Sequence, residues 1–225
     1  MNPATSARIN LGIPRHLQDY NGYCGPACAM MVVAGEQATL PPELQAQQNL
    51  FREIRQHAKA SNDKRPIKSP AESLIAVLEM HSHSRWQKFF DSSPDPIARR
   101  ILDSIEKFSQ PAIILISKGM HWVVAFGRTL KDDGSVAGVL LRDPAWAGMP
   151  KFFGLSIYPE KGTFDHSQAP CACLQSDNPP ASVHERYMAM DELLSPRGLQ
   201  GTPDWEGNGA LAILTTSEAV TNSPN

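Results

Sequence analysis

The hydrophobic pattern of this chain changes period once, near Pro111, and that change limits the folds open to it. Before Pro111, apolar residues recur at helical spacing; after it they come in short β-branched runs. The stretch after Cys24 (Ala27, Met30, Met31, Val32, Val33, Ala34) is apolar on nearly all sides and stops at Gly35. It predicts a helix buried in the middle of a domain. Pro41-Pro42-Glu43 opens a second helical stretch, with Leu44, Leu50, Phe51 and Ile54 on one face until about Ala58, and residues 59–68 read as an exposed basic loop. Ser69-Pro70-Ala71-Glu72 predicts a third helix start, with Ser69 as N-cap, Pro70 at the first position and Glu72 closing a capping box. A turn over Ser92–Pro96 leads into a fourth helix carrying Ile97, Ile101, Leu102, Ile105 and Phe108.

Beyond Pro111 the run Ala112–Ile116 predicts a buried strand. Met120–Gly127 and Val136–Arg142 follow as two more, joined by the turn residues Lys131-Asp132-Asp133-Gly134. Residues 159–186 read as a long irregular excursion, and 210–215 as a last strand. Helices first and antiparallel strands afterwards predict an α+β fold. The expected organisation is an irregular N-terminal segment over 1–17, one domain over 18–215 and a disordered tail over 216–225. The domain is helical to about 110 and sheet from about 111.

Composition removes several classes of function. The 225 residues are 41% hydrophobic and 20% charged, which is ordinary globular usage and excludes disorder of the whole chain. Lys and Arg number 21 against 23 Asp and Glu, a net charge of −2, so no strong field is available to hold nucleic acid or an anionic membrane. The longest clean apolar run is Ala112–Ile116, far short of the roughly 18 residues of a membrane span. No apolar core follows Arg8, so the N-terminus does not read as a secretory signal. A cytoplasmic location in the producing cell is expected, with signal-free export as an effector or toxin left open. Cys24, Cys28, Cys171 and Cys173 form two close pairs far apart in sequence, unlike the framework of a small disulfide-rich domain.

Chemistry concentrates in Gln18-Asp19-Tyr20-Asn21-Gly22-Tyr23-Cys24-Gly25-Pro26-Ala27-Cys28. Cys24 falls where the buried helix begins, and the positive end of a helix favours a thiolate. Gly25 leaves room beside the sulfur for a substrate backbone, and Pro26 suits a first helical turn. Gln18, six residues upstream, is placed to return its side-chain amide; with the Cys24 N–H it would form an oxyanion hole. A thiolate needs a base, and the base needs an orienting group. Among seven histidines, His121 is the one at the edge of a buried strand, in Gly119-Met120-His121-Trp122-Val123-Val124. A hairpin turn centred on Asp132 sets His121 opposite Asp143, within hydrogen-bonding reach.

Gln18, Cys24-Gly25, His121-Trp122-Val123-Val124 and Asp143-Pro144, in that order, resemble the papain-like cysteine peptidases. The Cys-Gly-Pro-Ala form and the Asp-Pro after the histidine hairpin are most similar to the bacterial branch that cleaves double-glycine leader peptides in bacteriocin exporters. The resemblance runs from about Gln18 to Gly148. It implies a papain-like fold, with Cys24 as nucleophile, His121 as general base, Asp143 as the orienter of its imidazole and Gln18 as oxyanion donor. The expected partner is a peptide or protein substrate, with no metal or organic cofactor. Trp122 and Trp146 flank the proposed hairpin as candidate walls of a substrate groove. The stretch carries no transporter domain, and neither the helical region between Cys24 and His121 nor the excursion after Phe153 matches the family's motifs.

Three other readings share or deny the site. Acyl transfer, as in a deamidase or a transglutaminase-type enzyme, uses the same thioester chemistry. An inactive papain-like binding module would keep the fold and lose the reactive thiol. A redox or metal protein would use Cys24, Cys28, Cys171 and Cys173 together, although no finger-like spacing accompanies them. On its own, Cys28 reads as core packing, and His81-Ser82-His83 as a solvated helix end.

Overall fold

The computed structural model describes residues 8–19, 22–60, 69–117, 119–145, 186–200, 202–204 and 207–216. Its architecture is α+β. A continuous apolar helix α1, Cys24–Gly35, is buried from Cys24 through Val33. A single 3₁₀ turn at Pro42–Leu44 precedes α2, Gln47–Ala60, whose buried face is Gln47, Leu50, Ile54 and Ala58. Then come α3 (Ala71–His81), strand β2 (Trp86–Asp91) and α4 (Pro94–Lys107). The strands that follow are β3 (Ala112–Ile116), β4 (His121–Leu130) and β5 (Val136–Arg142). After residue 185 the chain forms β6 (Arg186–Ala189), the short helix α5 (Met190–Leu193), β7 (Thr202–Asp204) and β8 (Gly207–Thr215).

The sheet runs β2-β8-β3-β4-β5-β6, and every pairing among the described residues is antiparallel. A two-residue strand β1, Ile9–Asn10, adds to β4, and β7 adds to β8. Side chains alternate across a strand, so successive residues of β3, β4 and β8 feed two separate cores. Ile113, Leu115, Trp122, Val124, Phe126 and Ile213 pack with α1, α2 and α3. On the other side, Ile114, Ile116, Val123, Ala125, Ala212 and Leu214 pack with α4 and with Leu193 of α5. Helices therefore cover both faces. This explains why β3 is buried along its whole length and reads as a continuous apolar run.

Four expectations change. The helical half contains a strand, β2, whose WQKFFD sequence is mostly half-exposed and lacks alternation because it is held as a sheet edge by β8. The sheet half contains α5. The segment before residue 18 is not wholly irregular: Ile9–Asn10 pairs with Arg128 and Gly127, and Ile13 is buried against the first core. Ser69 does not cap α3. The helix starts at Ala71 after Pro70, with no side-chain cap, because Ser69 is drawn against α1 instead. By contrast, Ser93 does cap α4, accepting from the Asp95 N–H.

The β4–β5 hairpin also differs in register. Its loop spans residues 131–135, closed by Lys131 N–H to Ser135 O at 2.8 Å, with Gly134 at φ +83°. Leu130 pairs with Val136, so the turn centres on Asp133, one residue later than expected. One extra residue on β4 (Phe126) and one on β5 (Ala137) shift the register in opposite senses and cancel. Val124 therefore faces Arg142, which extrapolates Asp143 to a place opposite Val123. His121 is its diagonal neighbour on the same face rather than its direct partner. No described helix is long and apolar enough to cross a membrane. The expected tail beyond residue 216 lies outside the described residues.

Candidate active site

The site lies at one end of the sheet, where β4 begins and β5 ends. Cys24 is the first residue of α1 and is 8% exposed. The His121 ring and the backbone N–H groups of Trp122 and Gly25 act on its sulfur in favour of the thiolate. His121 opens β4, and its Nε2 lies 2.7 Å from Asp143 Oδ1. With Nε2 committed to Asp143, Nδ1 is the nitrogen left for sulfur. Asp143 follows β5 directly and is almost wholly buried. Its Oδ1 also accepts the Ala145 N–H at 2.9 Å, and its Oδ2 accepts from the Arg186 guanidinium at 3.0 Å.

The three ionisable groups perturb one another in a consistent sense. Burial disfavours the Cys24 thiolate, but the hydrogen bond and charge of His121 outweigh it, so the thiol is more acidic than usual. Burial also opposes charge on His121, yet the Asp143 carboxylate and the Cys24 sulfur push the imidazole up to about 10. For Asp143, burial is again overcome, chiefly by His121 and then by Arg186 and the Ala145 N–H, which hold the carboxyl down at about 2. Cys28, one turn further along α1, has no such partner. Burial raises its thiol well above the ordinary range, in keeping with a packing role.

Gln18 is 4% exposed and sits on a segment fixed at both sides. Its own N–H donates to Pro144 O at 3.0 Å, which ties it to the Asp143 turn. Its side-chain Oε1 is buried and makes no hydrogen bond to a described residue. Gly25 departs from the expectation that it leaves room for substrate. A Cβ there would lie 2.5 Å from both Cβ and Oγ of Ser69, so the glycine admits Ser69 rather than a ligand. Trp122 is 2% exposed and donates through Nε1 to Ser69 O at 2.9 Å. It braces α1 from inside the core and does not line an open groove. Trp146, Cys171 and Cys173 lie outside the described residues.

No protein-family model matches the chain, and no curated protein matches it.

Three contributors escape a sequence reading. Gln47 accepts from the Asp19 N–H at 2.9 Å and donates to Leu17 O, gripping the chain on either side of Gln18. Its one legible sign is a polar residue on the buried face of α2, in step with Leu50 and Ile54. Arg186 reaches Asp143 from β6, within what reads as an irregular excursion, and nothing local marks it. Ser69 looks like a cap and serves as a packing partner. His81, expected to be solvated, lies 3.3 Å from Glu53 between α2 and α3. Among the described residues, no three His, Cys, Asp or Glu side chains group so as to hold a metal ion.

Proposed function

We propose that this protein is a papain-like cysteine peptidase acting on an extended peptide segment. One observation carries the reading: at a helix N-terminus, the Cys24 thiol is made more acidic by His121, whose ring is joined at 2.7 Å to a buried Asp143. The Cys24 thiolate, paired with protonated His121, attacks the substrate carbonyl carbon and forms a C–S bond. The resulting oxyanion is held by the Cys24 N–H and the Gln18 amide, each such donor contributing on the order of 3 kcal/mol. His121 gives its proton to the leaving nitrogen as the C–N bond breaks. Water then hydrolyses the thioester, returning the thiol. Asp143 keeps the imidazole aligned throughout and favours its protonated form in the resting pair. The papain-like topology and the likeness to double-glycine leader peptidases belong to this same reading, supported by the order and spacing of the four motif points.

The test is iodoacetamide labelling from pH 4 to 9, with the modified residue located by mass spectrometry, followed by incubation with a peptide library. The expected result is labelling of Cys24 well below the free-thiol pKa of about 8.5, lost in His121→Ala. New peptide termini should appear and vanish in Cys24→Ala. Uniform slow labelling near the free-thiol pKa would overturn the reading in favour of a binding module. Ammonia release or cross-linking without new termini would replace it with acyl transfer.

A further inference from the structure

Asp143 receives more than an orienting carboxylate needs. His121 and the Ala145 N–H share Oδ1, while Oδ2 belongs to Arg186 alone among the contacts described. Arg186 comes from β6, where it pairs with Leu141 of β5, two residues before Asp143. The register therefore puts it on the face that carries Asp143, as a diagonal neighbour. Its side chain is 11% exposed, and its second terminal nitrogen lies 3.4 Å from Glu192 Oε1 on α5. A planar guanidinium held at both ends fixes direction as well as charge.

We propose that Arg186 is a positioning residue of the site, holding Asp143 through Oδ2 so that Oδ1 stays aligned on His121. The proposal rests on the peptidase reading and extends it by one member, giving a relay Cys24–His121–Asp143–Arg186 that crosses from α1 to β6. A carboxylate this deeply buried that loses one of its donors turns toward whatever donor remains, and the His121 contact is the one at risk. Other charged or titratable groups face the relay. Arg15 from the N-terminal segment and Cys28 from α1 both sense Asp143, Arg142 adjoins Arg15, and Glu192 faces Arg186 from α5. Arg15 supplies charge near Asp143, but Arg186 is the cation whose hydrogen bond to the carboxylate is recorded.

The test follows the rate of Cys24 alkylation by iodoacetamide against pH in the full chain, so it needs no substrate. Arg186→Gln should raise the midpoint of Cys24 ionisation by roughly half a unit to one unit. A misaligned Asp143 holds the imidazolium less firmly and so weakens its pairing with the thiolate. Arg186→Lys, which keeps a donor and the charge, should recover most of the shift. In an Asp143→Asn background, Arg186→Gln should add no further shift, since its effect passes through that carboxylate. Should Arg186→Gln not fold, Arg186→Met keeps the packing of the stem and carries the same comparison. An unmoved midpoint in a folded Arg186 variant would overturn the proposal and leave the peptidase reading intact. So would a full shift on top of Asp143→Asn. An ordinary thiol midpoint in the wild-type chain would overturn both.

Discussion

Two residues of the site, Gly25 and Asp143, are held in place by their neighbours. Gly25 exists for Ser69: a methyl there meets Ser69 at 2.5 Å, against a serine that is itself held through the Trp122 indole. Gly25→Ala should therefore cost about 1–3 kcal/mol in overpacking, read as a lower urea midpoint with an unchanged slope. Asp143 makes a pH statement. Its carboxyl sits at about 2 in the folded chain against about 3.9 in an unfolded one. The stability it contributes is complete above about pH 4 and is lost as pH falls through 2. Thermal melts between pH 6 and 2 should show that loss, and Asp143→Asn should show a shallower one. The cluster of Cys24, His121 and Asp143 was legible because such a cluster draws on few residue types, at particular element ends. Gln47 and Arg186 were not, because each acts through a backbone group or carboxylate brought near only by the tertiary fold.

At the scale of elements, the buried helix and the strands announced themselves through period, and the errors sit where a partner distant in sequence decides. β2 is a strand because β8 lies beside it, and no local pattern in WQKFFD says so. The hairpin placed His121 near Asp143 for a reason that was half right. The turn is one residue later than expected, yet the offset at the site is an even number of residues, so both side chains keep the same face. That geometry depends on Gly134, whose φ of +83° closes the loop in open space. Gly134→Ala meets no clash and should still cost about 1 kcal/mol from the left-handed backbone alone. A drop in melting temperature with unaltered Cys24 labelling at neutral pH is the expected outcome. Loss of labelling would show that the hairpin slips when its turn is strained.

Among the described residues the molecule is two cores divided by one sheet, with the candidate site at the sheet's end. Cys24 belongs to the first core, while β6 and α5, which carry Arg186 and Glu192, flank the second. The N-terminal segment is part of this frame. Ile9–Asn10 extends β4, Ile13 fills the first core and its carbonyl accepts from Arg142 Nε at 2.8 Å. Removing residues 1–13 should thus destabilise the domain by about 2–4 kcal/mol, from lost burial and the cavity left behind. Calorimetry of the shortened chain checks this; an unchanged melting temperature would mean that the segment is dispensable.

The position of β8 has a consequence for how the protein is born. Synthesis runs from the N-terminus, and β8 is made after every other described strand, yet it lies between β2 and β3. A chain still attached to the ribosome and stopped before Gly207 already carries Cys24, His121 and Asp143. It lacks the strand that unites the sheet on which they are mounted. Such long-range pairing forms late and slowly. The Cys24–His121–Asp143 cluster therefore gains its complete sheet only after β8 has emerged.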